Sequence, residues 1–331
     1  MPSEFDNCSR RSFLKIAGLA ALGGATLSCL SKSGKSSARV GIYRANSYQG
    51  DLTGIIKRGL RDFPNLQIKD KRIVLKPNLV EYFDSHKVNT NPMMVAAAVD
   101  AFRSMGAREV IVAEGPGHRR DTEILLEQSG LDQVIKSEKL KFVDLNLDDT
   151  APIKLPYNLT ILQQMYFPKT ILGADLVVSM PKLKTHHWVG VTLSLKNMFG
   201  TVPSVIYGWP KNVLHWRGLD SSIVDINTAI KPGFAIVDGI EGMEGNGPLA
   251  GDTIKSNVII MGNNLTAVDA TATRVMGMRP EKVDYLKIMA DKGEPLSTGQ
   301  IEQIGETIRS CKQSFKVLPK FNDLKETLFS F

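Results

Sequence analysis

Cysteine is scarce: Cys8, Cys29 and Cys311 are the only three in 331 residues. That is too few for a disulfide-stapled fold and falls short of the cysteine set of an iron–sulfur cluster, so no internal cluster is expected. The chain contains no H-E-x-x-H, no G-x-x-x-x-G-K-[ST] and no G-x-S-x-G. The usual zinc-protease, P-loop and serine-hydrolase signatures are therefore missing. Zinc-finger spacing and RNA-binding aromatic motifs are absent too, and the net charge is a modest, dispersed +7. No nucleic-acid partner is expected from such a balance. The first apolar stretch, 16-IAGLAALGGATL-27, is about a dozen residues, against the roughly 20 a spanning helix needs.

What is present begins with a core: apolar residues make up 43% of the chain, enough to bury a sizeable interior. The N-terminus reads 9-SRRSFLK-15 ahead of the mild apolar stretch, the pattern of a twin-arginine export signal. We therefore expect a signal peptide over 1–28, the twin-arginine translocase as a partner, and a location across the cytoplasmic membrane, periplasmic or membrane-tethered. Next, 26-TLSC-29 resembles a lipobox with Cys29 as the acylated residue, although Thr26 stands where a larger aliphatic is usual. A lipid there would anchor the chain to the membrane, with the polar stretch 29–38 as its tether. Export in the folded state fits a protein that acquires a cofactor in the cytoplasm, without naming one.

From residue 39 to the end, short apolar runs alternate with helix-like segments. Strands are expected at 39–45, 72–78, 109–115, 140–146, 174–182, 233–240 and 256–262. Helices are expected at 51–63, 92–106, 121–130, 189–199, 220–230 and 265–277, with a mostly helical end and a hairpin or inserted strand within 151–170. The strands are continuous apolar runs, not alternating ones, which argues for burial on both faces. The fold class is α/β: a single domain over 39–331 with a mostly parallel sheet, helices on both faces, and an insertion near 147–220.

Each of several strands runs into an unusual polar segment. These are Lys76-Pro77-Asn78, Glu114-Gly115, Lys182-Leu183-Lys184-Thr185-His186, and Asp238-Gly239 followed by Glu241 and a glycine-rich stretch. In a parallel sheet the C-terminal strand ends share one edge, where open α/β folds bind ligands. Lysines there suit a phosphate or carboxylate. Carboxylates with imidazoles suit a divalent metal. Singly, a lysine after a strand is more often solvated, and Asp269 fits either a helix-borne site carboxylate or a surface charge. As a set, the catalytic candidates are Lys76, Lys184 and His186. Ligand-binding candidates are Asn78, Lys182, Lys196, Asn197, His215, Gly245 and Gly247. Glu114, Asp238 and Glu241 are the candidate metal ligands.

These blocks, with Asn91-Pro92, Lys196-Asn197 through Gly200, Gly247-Pro248 and Asp269, resemble the family called domain of unknown function 362, from about residue 38 to about 290. Many relatives in that family carry an added cysteine-rich ferredoxin module, which this chain lacks. The resemblance supports the site and transfers no reaction.

The expected function is an exported, metal-dependent enzyme acting on a small anionic substrate. Two alternatives stand beside it: a non-catalytic anion-binding lipoprotein, and a redox protein using an external iron–sulfur partner.

Overall fold

A computed structural model describes residues 38–83, 87–117 and 121–326. The expected signal peptide, the tether through residue 37, Cys29, and the loop histidines His86 and His118 lie outside the described residues. The strands are β1 (Ala38–Arg44), β2 (Arg72–Pro77), β3 (Glu109–Glu114), β4 (Lys141–Asp144), β5 (Thr150–Lys154), β6 (Gln164–Pro168), β7 (Leu176–Met180), β8 (Lys182–His186), β9 (Gly190–Thr192), β10 (Phe234–Glu244), β11 (Asp252–Gly262) and β12 (Ile301–Gly305). The main sheet runs β12-β1-β11-β10-β7-β2-β3-β4, with β8 and β9 attached beside β10. Along that order β11 alone opposes its neighbours, so the expected mostly parallel α/β sheet is what forms. Strands β5 and β6 pair antiparallel as a separate hairpin inside the 151–170 region that the sequence left irregular.

The continuous apolar runs follow from burial on two sides. Ile73 and Leu75 of β2 enter one core with Val110, Val112, Leu176 and Val178. Val74 enters the other with Ile111, Ala113 and Val177. Successive side chains on a strand point to opposite faces, so a strand covered on both sides must be apolar at every position. Helices Leu52–Arg61 and Pro92–Ser104 bury side chains in the first core, and Leu219–Ile230 and Leu265–Val275 in the second. Their starts are legible in the sequence. Asp51 accepts from the Gly54 amide, Asn91 from Met93 with Pro92 in the first turn, and Asn264 from Ala267, each satisfying an amide left open at a helix start.

Three expectations are corrected. The loop expected after β7 is itself a strand, β8, with all five residues buried. The helix expected over 189–199 shrinks to Ser194–Asn197, because Gly190–Thr192 pairs with β8 instead. The end of the chain, as far as residue 326, is helical only in part: helix Asp284–Asp291 and shorter helical segments flank β12, which closes the sheet edge beside β1.

Candidate functional site

Parallel pairing of β2 with β3 and β7 aligns their C-terminal ends. Beyond Met180 the chain leaves the edge as β8 and runs beside β10, Asp238 opposite Lys182 and Met243 opposite Lys184. A cleft of about 270 Å³ opens over these ends. Lys76, Asn78, Glu114, Lys184, His186, Lys196, Asn197 and His215, all anticipated from the sequence, line it together. Lys182, Asp238, Glu241, Gly245 and Gly247 do not.

The lysines divide into two kinds. Lys76 is buried and donates to Glu114 at 2.6 Å, to Asn197 Oδ1 at 3.1 Å and to the Pro77 carbonyl at 3.1 Å. Glu114 also accepts from the Leu79 and Gly115 amides. Gly200 lies directly over this pair: a Cβ there would collide with the Glu114 carboxylate and the Lys76 amine, so the close approach requires glycine. Lys182 forms a second buried pair, 2.8 Å from Asp238, and also donates to Tyr48. Asp238 accepts in addition from Tyr48 and from the Asn91 amide.

Lys184 and Lys196 have no carboxylate partner among the described residues. Lys184 donates to the carbonyls of Val88 at 2.9 Å and Pro248 at 3.4 Å. Burial, then the charges of Lys196, Lys182 and Lys76, hold its amine well below the ordinary lysine range. Lys196 is half-buried, and its nitrogen sits 4.1 Å from the centre of the Phe199 ring. Burial pushes it down to about 7.

The three cleft imidazoles among the described residues differ in which nitrogen is engaged. His186 Nδ1 accepts from the amides of Trp188 at 3.0 Å and Val189 at 3.4 Å. The ring proton therefore sits on Nε2, and burial holds the ring neutral, its pKa well below the histidine range. His186 can donate a hydrogen bond but cannot take a proton without breaking its turn. His187 and His215 are the reverse. Their Nδ1 atoms contact the carbonyls of Gly247 at 2.9 Å and Lys211 at 3.0 Å. A carbonyl only accepts, so Nδ1 carries a proton, and in the neutral ring the lone pair is on Nε2.

The expected metal set does not assemble. Glu114 and Asp238 are each closed by an ammonium group and by backbone or phenol donors, and Glu241 lies outside the cleft lining. A metal would have to displace a buried lysine at both carboxylates. Among the described residues no group of three or more His, Cys, Asp or Glu side chains is placed to hold an ion. The two glycines expected to touch ligand act through their backbones instead. The Gly247 carbonyl holds His187, and a Cβ on Gly247 would collide with the Thr185 carbonyl; Gly245 makes a turn at φ +78°.

Asp269 is neither a site carboxylate nor a surface charge. It is fully buried and accepts from the amides of Ser194 at 2.8 Å and Leu195 at 3.0 Å and from the Ser194 hydroxyl. It thereby clamps the start of the short helix that carries Lys196 and Asn197. Burial outweighs these donors and pushes its pKa up to about 7.

Sequence reasoning missed Lys211 and Thr192. Lys211 adopts a left-handed backbone, φ +68°, unfavourable for a side chain by about 1–2 kcal/mol. Its amine donates to Val202, Ser204, Gly115 and Asn146, bolting three segments beneath the cleft. No sequence pattern marks it. Thr192 Oγ1 and Asn78 Oδ1 are buried, line the cleft and have no partner. Such atoms call for a ligand or water to complete them.

A family model described as Domain of unknown function (DUF362) matches residues 73–274. A thylakoid-associated protein of Synechocystis is 25% identical over 257 residues, 74% of this chain and 76% of its own. Among solved structures, the lactate racemase apoprotein of Thermoanaerobacterium thermosaccharolyticum aligns with a TM-score of 0.39 at 14% identity, over 66% of this chain and 54% of its own. A Thermotoga maritima protein aligns at 0.30 and 12%, over 59% and 52%. The chain thus spans about half the length of either solved protein.

Proposed function

This chain belongs to the DUF362 family, and we propose that it is an exported enzyme whose cleft binds a small anionic substrate, a phosphate or a carboxylate. The observation that carries this reading is the imbalance of charge-bearing groups: among the described residues four lysines and a single carboxylate line the cleft, and that carboxylate is already paired with Lys76. Lys184, Lys196 and the Nε2–H of His186 are then the groups for an anion, and a bound anion draws a proton back onto the depressed amines. Asn78 Oδ1 asks for a donor in return, which favours a ligand carrying a hydroxyl or a bound water beside its anionic group. The twin-arginine motif at Arg10-Arg11 supports export through that translocase, and the lipobox-like Cys29 supports a membrane tether. The reading needs no metal on Glu114, Asp238 or Glu241.

Thermal unfolding with phosphate, sulfate and small carboxylic acids tests the binding half. The parent should gain several degrees with at least one of them, more at pH 6 than at pH 9, because binding takes up protons. Lys184→Met should abolish the gain. An equal response in the variant would end the anion reading.

A further inference from the structure

Among the described lysines of the cleft, three amines are committed. Lys76 is held by Glu114 and Asn197, Lys184 by two carbonyls, and Lys211 by four acceptors. Lys196 alone lines the cleft with no hydrogen-bond or ion-pair partner among the described residues; its nitrogen rests against the Phe199 ring. A second neighbour of that ring is His215, whose centroid lies 5.3 Å from it and whose Nδ1 is engaged by the Lys211 carbonyl, which leaves Nε2 as the basic nitrogen. A free amine and a proton acceptor thus share one aromatic wall, the amine carried on a helix fixed at its start by Asp269.

We propose that Lys196 is a nucleophile that forms an imine with a small carbonyl compound bearing an anionic group. This rests on the anion-binding reading of the same cleft and names its substrate class as oxo acids or phosphorylated aldehydes and ketones. The neutral amine attacks the carbonyl carbon, a C–N bond forms, and the carbonyl π pair moves onto oxygen as an alkoxide. The nitrogen gives up its proton to His215 Nε2. His215 returns that proton to the alkoxide, giving the neutral carbinolamine, and a second proton passes from nitrogen to oxygen by the same route as water leaves and the C=N bond forms. No oxidant or reductant is needed. Lys184 and the Nε2–H of His186 are the groups for the anionic end.

Burial without a counter-ion keeps a large share of Lys196 in the reactive neutral form at neutral pH. The charges around it are Lys76, Glu114 and Asp220, and Lys184 and His215 also feel its charge. The ordinary surface lysine is almost wholly protonated there.

The full chain is incubated with glyoxylate and cyanoborohydride at pH 7, and the modified lysines are mapped by peptide mass spectrometry. Lys196 should be labelled on the order of 100-fold faster than surface lysines, from its larger neutral fraction. Its rate should level off above pH 7, while theirs keeps rising toward pH 10. Excess phosphate should protect it. Labelling of Lys196 no faster than of surface lysines overturns the proposal, and this result needs no variant that might misfold. The outcomes separate the two readings. Anion-induced thermal stabilisation without Lys196 labelling overturns the imine alone. Absence of both overturns the anion cleft as well.

Discussion

Lys76 and Lys182 sit buried against carboxylates at the ends of their strands; Lys184, buried, and Lys196, half-buried, have no carboxylate partner among the described residues. The same side chain therefore does opposite things. Taking a charge out of water costs several kcal/mol, which a well-placed counter-ion offsets and a pair of carbonyls does not. The paired lysines are framework. They tie β2 to β3 and β8 to β10, and they explain why two carboxylates predicted as metal ligands are unavailable. The unpaired lysines are kept by Asp269 and by the walls of the cleft at the expense of stability, a pattern that proteins tolerate at functional sites.

The largest effect expected from breaking this contrast is at a paired site. Glu114→Gln leaves the Lys76 ammonium buried without its counter-charge and should lower unfolding stability by about 3–5 kcal/mol in urea titrations. A loss under 1 kcal/mol would mean that the pair is not framework. Next is the clamp. Asp269→Ala strips the acceptors from two buried amides and should cost about 2–3 kcal/mol. It should also slow labelling of Lys196, because the helix that carries it loses its anchor.

The smallest change in stability, and the opposite sign, is expected at the unpaired lysine. Lys196→Met removes a cation that the fold holds without a partner, and should stabilise the protein by roughly 1–2 kcal/mol below pH 7. The sign follows from linkage. Lys196 titrates near 7 when folded and in the ordinary lysine range when unfolded. Between those values the unfolded chain binds more protons, so the parent gains stability as pH rises, by up to about 1.4 kcal/mol per unit for one such group. Lys211, also held down to about 7, adds its own slope. Denaturation curves from pH 6 to 10 should show the variant losing one lysine's share. An unchanged slope would mean that Lys196 is solvated after all.

Much of the fold was legible because its causes are local or periodic. Double-faced burial writes itself as unbroken apolar runs, and Asp51, Asn91 and Pro92 mark helix starts by their chemistry. The convergence of Lys76, Glu114 and Lys184 on one edge follows from strand direction. What stayed hidden depends on partners distant in sequence. Nothing about Lys182 says that Tyr48 and Asp238 will close over it. Asp269 reads like any helix carboxylate until Ser194 is brought beneath it. Residues 189–199 have helical spacing, yet the first of them are taken by β8, because strand pairing outweighs a short segment's propensity. Lys211 hides behind an unfavourable backbone that only its own hydrogen bonds explain.

His186 belongs to two structures at once. One ring nitrogen ties the turn at residues 187–189, while the ring itself forms part of the cleft wall. Any replacement at this position removes a cleft group and loosens the turn that orients its two aromatic neighbours, so the loss it produces is shared between chemistry and shape.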